Sequence, residues 1–196
     1  MGTSFFVTGC APSNYLGKQD TYIESYAAFT LSSFGERPLI PADDGDPPYS
    51  IYRATRDKWW GDGLQEIIRF ESRGENFEFW LKRDQDVFDT DVMSYCQWHG
   101  TLSPEQWDSF IISVHASEFW ITPSDSQFRA QEELLSDDVF SRADGWDLII
   151  EGVESFRYHS VHQWSPDAGA VHDLANKMFD IAEELLANAP MQCIGF

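Results

Sequence analysis

Two pairs of strand-like runs, each turning back on itself within three residues, constrain this chain more than any other feature. Leu64–Ser72 and Asn76–Arg83 flank Arg73-Gly74-Glu75, and Trp146–Val153 and Arg157–Trp164 flank Glu154-Ser155-Phe156. In the second run Phe77, Phe79 and Leu81 fall on one face and Glu78, Trp80 and Lys82 on the other, the period of two that a strand imposes. Tyr49–Thr55 alternates in the same way. Runs joined this tightly can pair only antiparallel, because a parallel partner needs a long crossover.

The helices are equally local. Ser103 can cap, Pro104 fits the first helical position and Gln106 completes a capping box. Trp107, Phe110, Ile111 and Val114 then form one apolar stripe, predicting a helix over about 103–117. A last helix over about 168–187 carries Val171, Leu174, Ala175, Met178, Ile181, Ala182 and Leu185 on one side, after Ser165-Pro166-Asp167. Tyr22–Phe29 fits a short helix or a strand, and Ser126–Leu135 reads as a short helix. The expected fold is α+β: an antiparallel-rich sheet built from hairpins, packed against two main helices. One domain spans 1–196, with a loop-rich part at 1–48 and a core over about 49–190.

Charge narrows the function. Thirteen Lys and Arg stand against 33 Asp and Glu, a net charge of −20 in 196 residues, while 15% aromatic content argues for a packed domain under that charge. From residue 101 onward there are 17 acids and four bases, Arg129, Arg142, Arg157 and Lys177, largely on helix faces. Two loops concentrate the acid: Glu36 to Pro48, with Asp43, Asp44 and Asp46 around Gly45, and Asp84 to Asp91, with Asp84, Asp86, Asp89 and Asp91. Such a chain repels nucleic acid and suits a basic protein surface. No segment approaches the length of a membrane span.

Chemistry-bearing motifs are sparse, and none calls for a cofactor. His159 and His162, three apart on a strand, point to opposite faces and should not share a metal ion. The loop from Asp84 to Asp91 lacks the Gly and bidentate Glu of a calcium loop. No nucleophile elbow or phosphate loop is present. Glu151 is the one carboxylate on an otherwise apolar strand; it is expected to pair with Arg157 or Arg142, to lie half-exposed, or to act with His159 as the acid–base pair of a small hydrolase. Phe119-Trp120, Trp146, Tyr158 and Trp164 read as packing aromatics with an aromatic ligand platform as the alternative, whereas adjacent Trp59 and Trp60 are hard to bury together. Cys10, Cys96 and Cys193 show no metal-ligand spacing, and their odd number favours reduced thiols in a cytoplasmic protein. Val7-Thr8-Gly9-Cys10 has the form of a lipoprotein cleavage box, so a periplasmic protein anchored at Cys10 is the alternative, against a plain N-terminal strand Ser4–Val7.

The C-terminal half carries an ordered set of motifs. They are Leu102-Ser103-Pro104-Glu105-x-Trp107, Phe119-Trp120-Ile121-Thr122-Pro123, Asp144-Gly145-Trp146-x-Leu148-x-Ile150-Glu151-Gly152 and Tyr158-His159-x-Val161-x-x-Trp164-Ser165-Pro166. The set resembles a family of small bacterial α+β proteins without a settled activity, with Gln163 standing where that family would carry Arg. The resemblance implies a bacterial α+β domain and assigns no catalytic residue.

The expectation that follows is a non-enzymatic acidic binding protein of the immunity type, occluding the basic cleft of a cognate bacterial toxin or effector. Its expected contact residues are Asp43, Asp44, Asp46, Trp59, Trp60, Asp84, Asp86, Asp89 and Asp91. An envelope lipoprotein or periplasmic accessory protein is the alternative, and the Glu151–His159 hydrolase a further one.

Overall fold

The computed structural model describes residues 30–39, 49–58, 65–84, 94–123 and 146–195. The chain divides into two compact units, Met1–Pro38 and Leu39–Phe196. In the first, residues 30–33 end a helix, and Gly35 turns left-handed at φ 64°. The Gly35 N–H donates to Ser32 O (2.9 Å) and the Glu36 N–H to Leu31 O (2.8 Å), which satisfies the last helical carbonyls. The segments Ser4–Val7, Tyr22–Phe29 and Ser126–Leu135, and Cys10 with its box, lie outside the described residues.

The second unit is built as the hairpins require. Its elements are β1 (Tyr49–Lys58), β2 (Gln65–Arg73), β3 (Asn76–Asp84), β4 (Ser94–Thr101), α1 (Pro104–Ala116), β5 (Trp146–Glu154), β6 (Arg157–Trp164), α2 (Ala170–Leu186) and β7 (Met191–Gly195). The strands form one antiparallel sheet in the order β6-β5-β1-β2-β3-β4-β7. The fold is α+β. Strand β1 joins the two hairpins, with β2 on one side and β5 on the other. Both turns are one residue shorter than the sequence suggests. Gly74-Glu75 closes the first, with Gly74 at φ 64°, and Ser155-Phe156 closes the second, with Ser155 at φ 50°.

Helix α1 starts as its capping box dictates. Gln106 N–H donates to Ser103 Oγ (3.2 Å), and Ser103 N–H donates to Gln106 Oε1 (2.9 Å). Ser165 does not cap α2. It latches the second hairpin instead, its Oγ accepting from Trp146 N–H at 2.9 Å, and α2 begins at Ala170. Both helices cover one sheet face, where Tyr52, Ile68, Phe70, Phe79, Leu81, Leu148 and Ile150 meet Phe110, Val114, Leu174 and Met178 in a single apolar core. Gly152 permits a close approach: a Cβ there would lie 2.7 Å from Phe119 in the 3-10 turn Phe119–Ile121. Charge also ties α2 to the sheet. Arg83 reaches both Glu66 of β2, at 2.5 Å, and Glu183 of α2, while the Arg56 guanidinium sits 3.8 Å above the Phe179 ring.

The expectation of reduced cysteines is corrected here. Cys96 of β4 and Cys193 of β7 are register partners and form a disulfide. The pairing crosses a strand, β7, that lies beyond the last motif legible in the sequence. Spacing alone could not foresee it, because the two residues are 97 apart in the chain.

Candidate functional site: a buried polar layer and an acidic rim

Alternation along each strand sends a second set of side chains to the face opposite the helices, and much of that set is both polar and buried. Arg53 of β1 and Glu151 of β5 are cross-strand partners with fully buried side chains. The Arg53 Nε–H donates to Glu151 Oε2 (2.7 Å), Nη2 lies 2.5 Å from the same oxygen, and the Tyr158 hydroxyl donates to Glu151 Oε1 (3.1 Å). Burial pushes the Tyr158 hydroxyl up, and the Glu151 charge beside it pushes the same way. Expectation placed Glu151 against Arg157 or Arg142. Arg157 pairs with Glu154 at the hairpin end instead, and Arg142 lies outside the described residues. The partner comes from β1, which only sheet order brings alongside β5.

The Glu151–His159 acid–base pair is excluded by geometry. Ser160, not His159, is the register partner of Glu151, so His159 projects to the helix face. Its Nε2–H donates to the Thr122 carbonyl (2.9 Å) and its ring packs against Phe119. Burial holds its pKa below the usual histidine value. His162 is the histidine on the Glu151 face, bonded through Nε2 to Asp147 Oδ1 at 2.5 Å.

Beside that pair, Asp57 and Asp147 face each other across β1 and β5, both buried. Gln65 Nε2–H donates to both oxygens of Asp57 (3.0 Å each). Burial pushes the Asp57 pKa up to about 6; the Gln65 bonds oppose that shift, and the charges of Asp147 and Asp84 add to it. Asp57 has an ordinary value of 3.8, so between about pH 4 and pH 6 the folded protein holds a proton that the unfolded chain has released. The Asp57 contribution to stability therefore falls as pH rises through that window and levels off above it. Asp57→Asn is expected to remove this contribution and to raise stability near pH 7 relative to pH 4.5 by on the order of 2–3 kcal/mol compared with the parent, less what one Gln65 bond returns, read as urea midpoints at about pH 4.5 and 7.5. An unchanged pH profile would mean that Asp57 is solvated.

Of the expected contact residues only Asp84 is described. It closes β3 opposite Tyr95 and is half-buried. Asp43, Asp44, Asp46, Trp59, Trp60, Asp86, Asp89 and Asp91 lie outside the described residues. The aromatic set does not form one platform. Phe119 is buried against Tyr52 beneath α1, and Trp120 stacks under the Arg157 guanidinium at 3.8 Å. Trp146 meets His172 of α2, whereas Tyr158 and Trp164 face the other way.

The surface is acidic where it is described. Glu105 and Asp108 on α1 and Asp173, Asp180, Glu183 and Glu184 on α2 are exposed, and Lys177 is the cation among them. Ile112 on α1, 67% exposed, is an apolar point within this layer. At the tip of the first hairpin a groove of about 280 Å³ opens beside Glu71, Arg73, Glu75, Glu78 and Thr101. Among the described residues no group of three or more His, Cys, Asp or Glu could hold a metal ion, and no helix is long and apolar enough to cross a membrane.

Comparison with protein-family models, with curated proteins and with solved structures yields no match to this chain.

Proposed function

We propose that the protein is a non-enzymatic acidic binding protein of the immunity type, which blocks the basic cleft of a cognate toxin or effector. One observation carries the reading: the two helices present six exposed carboxylates with a single lysine, Glu183 among them bridging to Arg83 and Asp173 lying 3.3 Å from His172, while Glu151, Asp57 and Asp147 are engaged by Arg53, Gln65 and His162 in the interior. A carboxylate held by a buried guanidinium, as Glu151 is by Arg53, makes a poor acid–base catalyst. Surface carboxylates around an exposed aliphatic residue suit a basic protein partner, whose encounter they accelerate. The expected outcome is that a basic protein co-purifies with the full chain, in a stable complex whose association rate falls about tenfold or more between low and high salt, with a smaller change in dissociation. A salt-independent association rate would sink the proposal.

A second reading concerns the compartment. The Cys96–Cys193 disulfide favours an oxidising one, since such bonds persist outside the cytosol. That supports the periplasmic alternative over the cytoplasmic one.

A further inference from the structure

The two edges of the sheet differ in exposure. On β6 the residues Ser160 to Gln163 are buried. On β7 Met191, Gln192 and Cys193 are exposed, Met191 at 60%, and no strand lies beyond β7 among the described residues. The pairing of β7 with β4 shows which backbone groups face outward. Cys96 and Cys193 are register partners with Cα atoms 4.0 Å apart, the short spacing of a pair that exchanges no backbone hydrogen bonds. The N–H and C=O of Cys193, and by alternation those of Met191 and Gly195, therefore point away from β4. Those of Gln192 and Ile194 point toward it.

An open edge is normally guarded by charge, by proline within the strand, by a bulge or by brevity. Here brevity alone applies. The register runs without a break from Ser94–Gly195 to Trp98–Met191, and neither β4 nor β7 contains Asp, Glu, Lys or Arg. In a chain of net charge −20, a margin two strands wide and free of carboxylates is where a second copy can approach without setting acid against acid. A basic partner is drawn instead to the helices, which carry the exposed carboxylates. The disulfide ties the edge strand to β4, so little ordering has to accompany pairing.

We propose that β7 is a self-pairing edge, through which two copies of this chain join antiparallel about a two-fold axis into one continuous sheet. Cys193 lies on the axis opposite Cys193 of the second copy and exchanges both N–H···O=C bonds with it, which places Met191 opposite Gly195 of the second copy. Like faces then meet, so the helices of both copies lie on the same side. Their acidic layers repel, and added salt should favour the pairing, the reverse of what a basic partner would show. Five residues a side make a small contact, so the dimer is expected to be weak, appearing at protein concentrations on the order of 0.1 mM.

Sedimentation equilibrium of the full chain, from micromolar to millimolar concentration at low and high salt, should show a monomer–dimer equilibrium that high salt strengthens. Amide exchange at the two ends of that range reads the register. The Cys193 amide should slow on dimerisation, while those of Gln192 and Ile194, already facing β4, should not change. Met191→Pro removes one outward N–H from each copy and spares the ladder to β4, so it should weaken the dimer about tenfold, the net effect of two hydrogen bonds. Met191→Glu, at an exposed site, adds a carboxylate to each edge and should weaken the dimer at low salt, with high salt restoring part of the loss. Protected Gln192 and Ile194 amides in either variant show that β7 is in place. A monomer at every concentration, a dimer indifferent to both variants, or slowed exchange at Tyr158 and Ser160 of β6 in place of Cys193 would overturn the assignment. So would slowing of the Cys193 amide only in complex with a basic protein, which would give the edge to that partner. A dimer that survives denaturant without reductant would be covalent, through Cys10, and would also overturn it.

Discussion

Glu151→Ala is expected to cost about 3–5 kcal/mol of folding stability, the largest effect of any single substitution considered for this protein. The Arg53 guanidinium cannot lose its charge, and with both side chains fully buried it would be left in the interior without its carboxylate. The Tyr158 hydroxyl would lose its acceptor in the same step. Arg53→Met/Glu151→Leu removes both charges together and should recover most of the loss, because desolvating two ions consumes much of what their attraction returns. Urea unfolding with an unchanged m-value is the measurement. A loss below about 1 kcal/mol for Glu151→Ala would show that water reaches the pair.

Removing the Cys96–Cys193 bond ranks second. It closes a loop of 97 residues and ties a five-residue edge strand to β4. Constraining the unfolded chain over a loop of this length contributes about 4–5 kcal/mol in the chain-entropy account, and measured losses for native disulfides run about 2–5. Cys96→Ala/Cys193→Ala should therefore lower the urea midpoint strongly. Hydrogen exchange should accelerate first in β7 and the adjoining part of β4, with β1 and β5 retaining protection, since an edge strand held on one side opens locally. Acid-quenched alkylation of protein taken directly from cells should leave both cysteines unlabelled until a reductant is added. Labelling without reductant would count against the oxidising compartment. Loss of stability confined to about 0.5 kcal/mol would show that β7 holds by its ladder alone.

Much of the fold was legible because it rests on local rules. The alternation of Phe77, Phe79 and Leu81, the Ser103–Gln106 capping box and the stripe of α2 each depend on residues within one or two turns of each other, and all three stand in the structure. The site was less legible. Arg53 and Asp147 alternate with apolar neighbours, which alone reads as the wet face of a one-sided sheet, while Asp57 between Arg56 and Lys58 and His162 beside Gln163 read as plainly polar positions. One signal pointed the other way: the nearly unbroken apolar run of Leu148, Ile149, Ile150, Gly152 and Val153 around Glu151 is what a strand buried on both faces looks like. The partner of Glu151 carried no comparable signal, since Arg53 lies 98 residues away.

The sequence by itself determined the hairpins, the capped helix, the α+β class and the net negative charge, since each of these follows from nearest neighbours or from summed charge. Only the tertiary structure decided that β1 lies between β2 and β5, that Cys96 meets Cys193, that Glu151 turns away from His159, and that Glu71 and Glu78 lie beside one groove. Strand order and register are long-range choices made by the whole core. A shift of one residue in register would move every side chain of a strand to the other face.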